Sequence, residues 1–182
     1  PADSPQVSLD VLSHAERKAE GLLRENGIIG PYAVIHTSPG HNTKVWDPEG
    51  FLQVAEYLKE RKKAISVFIG APKDSQNVRG IISRLGDSGK DLCGKTDLET
   101  LIAIVRNASF FIGVDSAPAH IASAFNVPGV VLFSGVNDPE EWAPIGGGLR
   151  VVYPGKGRDL SSVTPRDVCE AIDHAMGKGA IF

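Results

Sequence analysis

The sequence predicts an α/β fold, a doubly wound and mostly parallel sheet, and three observations carry that reading. Short apolar runs alternate with amphipathic helical stretches from residue 8 to residue 176. Runs such as 64–69 (AISVFI) and 110–114 (FFIGV) are continuously apolar rather than alternating, which is the mark of strands covered on both faces. The connectors are short, and no stretch is low in complexity.

Taken in order, Leu9, Leu12, Ala15, Ala19, Leu22 and Leu23 recur at spacings of three and four, which predicts a helix from Ser8 that Asn26-Gly27 stops. Residues 32–36 (YAVIH) read as the first strand. Asp47-Pro48 opens a second helix with Phe51, Val54, Ala55 and Leu58 on one face. Its basic end, 59–63 (KERKK), is expected to be a solvated terminus that complements the helix dipole. Strand 64–69 then leads to helix 74–85, and strand 91–93 to a helix over 97–107 capped by Thr96 or Asp97. Strand 110–114, helix 117–125, strand 127–133, strand 150–153 and a final helix over 164–176 complete the pattern. Residues 1–31 are expected to be a leader and linker helix, and 32–182 the folded domain.

The length of 182 residues suits one compact domain. With 19 Lys and Arg against 22 Asp and Glu, the net charge of −3 argues against a nucleic-acid partner. Cys93 and Cys169 lie far apart with no CxxC spacing, so they read as free thiols. No run reaches the roughly 18 apolar residues of a membrane helix, and the beginning has no signal-peptide pattern. A cytoplasmic location is expected. The first residue is Pro1 and the sole methionine is Met176, so the chain is expected to be a processed product or a piece of a longer one.

Ligands of doubly wound sheets sit beyond the carboxyl ends of the strands. This directs attention to the loops after Ile35, Ile69, Cys93, Val114 and Phe133. In 110–120 (FFIGVDSAPAH), a strand ends at Asp115-Ser116 and Pro118 marks the first turn of a helix. Free amides at that helix start suit a phosphate, the small Ser116 and Ala117 allow close approach, and His120 returns to the same helix end. Equally, Ser116 or Asp115 is an ordinary N-cap and His120 a half-buried structural residue. Asp115 repels phosphate and is expected to accept backbone N–H bonds that hold the loop.

In 36–46 (HTSPGHNTKVW), Thr37, Ser38 and Gly40 suit a tight turn and Lys44 a point charge, although a surface loop with a solvated lysine fits as well. No GxxxxGK[ST] motif is present. His36 and His41 have no Asp, Glu or Cys at ligand spacing, so a metal site is not expected. Glu140-Glu141 reads as solvated loop charge. Asp115 stands at the serine position of a GxSxG frame, which excludes that nucleophile motif.

Together these segments resemble glycosyltransferase family 9, the ADP-heptose:lipopolysaccharide heptosyltransferases. The run 115–128 (DSAPAHIASAFNVP), followed by VVLF over 130–133, is similar to that family's carboxyl-terminal signature. Lys44-Val-Trp46 resembles its Lys-x-Trp loop, 69–74 (IGAPKD) its turn after the second strand, 91–101 (DLCGKTDLETL) its next helix start, and 138–144 (DPEEWAP) its Pro-rich loop.

The resemblance implies a GT-B enzyme of two Rossmann-like halves, of which this is the carboxyl-terminal, donor-binding half. It implies that Ser116, Ala117 and His120 hold the pyrophosphate of a nucleotide-sugar, with ADP-heptose as the donor and no metal or other cofactor. Thr37, Ser38 and Lys44 would face the same phosphates, while Thr96, Leu98 and Asp74 would border the base and ribose. It further implies a lipid-linked glycan acceptor, a catalytic base in a missing amino-terminal half, and a place at the inner face of the bacterial inner membrane. No catalytic residue is expected in this chain. Two features depart from the family pattern: Ala117 stands where a Gly is usual, and 134–138 (SGVND) replaces a Gly-Pro-Thr-type turn. A non-catalytic interaction module and the nucleotide half of a GT-B UDP-sugar epimerase are the competing readings.

Overall fold

The computed structural model describes residues 11–38, 45–146 and 148–177. Its centre is a six-stranded sheet in the order β3-β2-β1-β4-β5-β6. The strands are β1 (Tyr32–His36), β2 (Ile65–Ile69), β3 (Gly89–Asp91), β4 (Phe110–Val114), β5 (Gly129–Leu132) and β6 (Leu149–Val152). Every pairing is parallel. The helices are α1 (Ser13–Glu25), α2 (Pro48–Tyr57), α3 (Asp74–Leu85), α4 (Leu98–Arg106), α5 (Ala117–Ala124), α6 (Pro139–Trp142) and α7 (Pro165–Met176).

Side chains alternate across each strand, and both faces are apolar, so two cores form. Ala33, Ile35, Phe68, Phe110 and Ile112 join Phe51, Val78 and Ile172 under α2, α3 and α7. Tyr32, Val34, Val67, Phe111 and Phe133 join Ala19, Ile104 and Ala122 under α1, α4 and α5. This double burial is why the strands read as continuous apolar runs. The chain starts in the middle at β1, winds out to β3, and returns to β4 beside β1. The strand order therefore reverses between β1 and β4, the place where sheets of this kind open a crevice beyond the strand ends.

The helix expected from Ser8 starts at Ser13 in the described residues. It lies against α4, with ion pairs Lys18–Asp97 at 2.5 Å and Arg106–Glu16 at 2.5 Å across the contact. The third strand is Gly89–Asp91, two residues earlier than expected. Backbone pairing decides this: Gly89 aligns with Ser66 of β2, and beyond the strand Leu92 and Gly94 still donate to Phe68 and Gly70 at 2.8 Å. The fifth strand is shorter than 127–133 because Pro128 has no amide to donate, although its carbonyl accepts from Phe111 at 2.9 Å.

The basic terminus of α2 differs most from expectation. The helix widens into a π turn over Leu58–Lys62 and ends at Lys63 in the left-handed region, φ 58°. The wider turn rotates Lys62 inward, where it is 2% exposed. Its Nζ lies 2.8 Å from Asp173 Oδ1 on α7, and Tyr57 Oη donates to the same oxygen at 2.6 Å. Among the described residues, no helix is long and apolar enough to cross a membrane.

Candidate functional site

The crevice is bounded by the ends of β1 and β4. His36, the last residue of β1, lies in register with Gly113 of β4. A Cβ at Gly113 would come within 2.8 Å of the Phe111 ring and 3.3 Å of His36 Cβ, so glycine leaves the space the Phe111 ring needs. His36 Nδ1 lies 3.0 Å from Ser116 Oγ, and that hydroxyl donates to the Val114 carbonyl at 2.9 Å. Ser116 is the N-cap residue of α5, in extended backbone, yet its side chain caps no amide. The structure thus sets aside the capping role for Ser116: its hydroxyl turns back to the strand and caps no amide of α5.

His36 is 8% exposed, and burial lowers its pKa to about 4, against the opposing pull of the Asp74 carboxylate. The imidazole is therefore neutral near pH 7. The unfolded chain takes up this proton near pH 6.5 and the folded chain does not, so stability falls as pH drops from 6.5 towards 4. In urea titrations, the stability difference between the wild type and His36→Asn should shrink by roughly 1.5 kcal/mol between pH 6.5 and pH 5. A constant difference would contradict a neutral buried histidine.

Ala117 and His120 are exposed on the first turn of α5, as residues one and four of the helix. Ala119 N donates to Ser116 O at 3.0 Å, and Pro118 has no amide to satisfy. Asp115 is buried, and the side-chain amide of Asn137, in the loop after β5, donates to its Oδ2 at 2.8 Å. That bond ties the β4 loop to the β5 loop.

On the α4 side of β1 lies a cavity of about 270 Å³ whose walls include His36, Gly70, Ala71, Thr96, Leu98 and Pro118. Thr96 and Leu98 are thus brought together with the start of α5. Asp97 resolves the expected choice of cap for α4: its Oδ1 accepts from Thr100 N at 2.8 Å. Lys18 and then Thr100 hold its carboxyl well below the usual range.

Asp74 is placed differently from expectation. It is 3% exposed, and its Oδ2 accepts from Ala71 N at 2.7 Å. A Cβ on Gly70 would sit 2.7 Å from that oxygen, so the carboxylate is packed inside its own turn. Asp74 shapes the cavity floor from behind and forms no part of its wall.

Thr37 and Ser38 line a second cavity of about 330 Å³, with Trp46, Phe51, Asn77 and Ile81 on the α2–α3 side of the sheet. Thr37 Oγ1 is buried there without a hydrogen-bond partner among the described residues. Lys44, together with Gly40 and His41, lies outside the described residues. No group of three or more His, Cys, Asp or Glu able to hold a metal occurs among the described residues.

Sequence reasoning missed His36 and Asn137 as parts of this site. A histidine ending a buried strand opposite a glycine was a usable signal for His36. Nothing local marked Asn137, whose contact spans 22 residues.

Comparison with known proteins places the chain in a family. A family model described as glycosyltransferase family 9 (heptosyltransferase) matches residues 2–160. The chain belongs to this family. Among family 9 relatives, lipopolysaccharide heptosyltransferase 3 of Escherichia coli is 32% identical over 143 residues, covering 78% of this chain and 42% of that protein. Lipooligosaccharide heptosyltransferase 2 of Haemophilus influenzae is 26% identical, covering 80% of this chain and 43% of its own length. The chain therefore spans less than half of the curated relatives it matches.

The fold agrees with family 9 structures. A glycosyl transferase family 9 protein from Veillonella parvula superposes with TM-score 0.83 at 20% identity, over 93% of this chain and 53% of that one. E. coli ADP-heptose LPS heptosyltransferase II gives TM-score 0.78 at 21% identity, over 94% and 55%. The six-stranded parallel sheet is accordingly the Rossmann-like architecture of GT-B glycosyltransferases.

Proposed function

We propose that this chain is the donor-binding half of an inverting GT-B glycosyltransferase that transfers heptose from ADP-heptose to lipopolysaccharide core or a related surface glycan. The observation that carries the reading is the crevice at the β1–β4 switch. There a cavity walled by Thr96, Leu98 and Pro118 meets the start of α5, which the Ser116 side chain does not cap. An apolar-edged recess next to a helix start, with its exposed Ala117 and its positive dipole end, suits a nucleoside diphosphate, with the base in the recess and the phosphates at the helix end. In the transfer step the bond from the sugar to the β-phosphate breaks and negative charge grows on the departing diphosphate. The α5 dipole, His120 and Lys44 would stabilise that charge without a metal. The base that activates the acceptor hydroxyl, and the glycan acceptor itself, belong in this reading to a second Rossmann-like half. On its own, this half binds nucleotide and transfers nothing. A workplace at the inner face of the bacterial inner membrane follows from a lipid-linked acceptor.

The likeness to an E. coli heptosyltransferase solved with ADP supports a nucleoside diphosphate as ligand; it superposes with TM-score 0.72 at 21% identity. Calorimetric titration with ADP, UDP and GDP tests the reading. Saturable binding with ADP preferred is expected. No binding of any of the three would sink the proposal, and a strong preference for UDP would redirect it to a UDP-sugar enzyme.

A further inference from the structure

We infer that His36 is a specificity-determining residue of this site, whose Nε2 accepts a hydrogen bond from a ribose hydroxyl of the bound nucleotide. The inference rests on the donor-binding reading above and follows from one chain of hydrogen bonds. Ser116 Oγ has a single proton, and the Val114 carbonyl, 2.9 Å away, can only accept it. The contact between Ser116 Oγ and His36 Nδ1 at 3.0 Å then requires the imidazole to be the donor. In a neutral ring that places the proton on Nδ1 and leaves a lone pair on Nε2.

Nε2 has no hydrogen-bond partner among the described residues, whereas the ring forms part of the wall of the 270 Å³ cavity. The site thus presents an acceptor, and only a donor on the ligand satisfies it. The phosphates of a nucleotide-sugar, each esterified on both sides, carry no proton to give near pH 7, so the donor's diphosphate is excluded as the partner.

Position selects the ribose. His36 is bonded to Ser116, which adjoins the α5 start where the phosphates are placed, while Leu98 and Leu101 form an apolar wall for the base. The sugar lies between phosphate and base in any nucleotide, and its 2′- and 3′-hydroxyls are the donors at that distance along the ligand. Burial keeps the ring neutral, so the acceptor persists across the physiological range.

The two ring nitrogens have separate duties, which makes the test specific. An Asn side chain amide can replace Nδ1 as donor to Ser116 but reaches no further. His36→Asn should therefore keep the β1–β4 link and lose the acceptor. Titrations of wild type and His36→Asn with ADP, 2′-deoxy-ADP and 3′-deoxy-ADP read the difference, alongside melting temperatures without ligand.

The wild type is expected to bind ADP about 3- to 10-fold more tightly than one of the deoxy analogues, the effect of one neutral hydrogen bond. In His36→Asn that preference should fall to about 1, with the analogue's own affinity little changed. A preference that survives the substitution, or a wild type that binds all three nucleotides equally, overturns the role of His36 and leaves the donor-binding reading intact. A wild type that binds none of them overturns both.

Discussion

Replacing Asp173 by alanine is expected to destabilise the protein by about 3 kcal/mol, because it removes the carboxylate that faces a buried ammonium. Lys62 is 2% exposed and Asp173 is one-third exposed at its side chain, so the pair is partly screened on one side only. The same oxygen accepts from Tyr57, and burial followed by this carboxylate raises the phenol's pKa. Asp173→Ala therefore costs a charge pair and a hydrogen bond together. In a chain of this size the melting temperature should fall by roughly 6–12 °C.

Lys62→Met is the control, since it keeps the long apolar stem and removes the charge; a loss below about 1 kcal/mol is expected. Thermal unfolding of the two variants decides the matter. If Lys62→Met were as damaging as Asp173→Ala, the loss would lie in the attraction between the two charges rather than in an ammonium left buried without its partner.

The second large effect concerns the phosphates. His120→Ala and Lys44→Ala should each weaken ADP binding by roughly 10-fold or more, the scale of a charge-assisted hydrogen bond. The losses for AMP should be smaller, and adenosine should bind the variants and the wild type alike. His120 is on the first turn of α5, and Lys44 follows Ser38 by six positions in the sequence. Titration of the three ligands separates a phosphate role from general damage. Equal losses for ADP, AMP and adenosine would refute it.

Much of this protein was legible before its structure. The order of strands and helices followed from apolar periodicity and from Pro and Gly punctuation, since these are local properties of the chain. The site's neighbourhood was legible too: Asp115-Ser116 at a strand end and Pro118 at a helix start can only lie at one edge of a parallel sheet. Elements whose ends depend on partners were less legible. The third strand begins at Gly89 because Gly89 pairs with Ser66, which no periodicity reveals.

Within the site, the resemblance put Thr37 and Ser38 at the phosphates of a ligand and Thr96, Leu98 and Asp74 at its base and ribose. The structure divides them between two cavities on opposite faces of the sheet and withdraws Asp74 into its own turn. That division depends on which side of β1 each loop leaves, which is a property of the sheet.

By itself the sequence determined a doubly wound parallel sheet, the strand ends where a ligand would sit, and the family whose motifs those ends carry. Tertiary structure alone decided three things. It turned Lys62 from a solvated cation into the buried partner of Asp173, because a π turn changes which face the residue presents. It removed Ser116 from capping duty, because a β1 histidine 80 residues away competes for its hydroxyl. It also brought His36 against Ser116, because the two side chains meet only when β1 and β4 lie side by side.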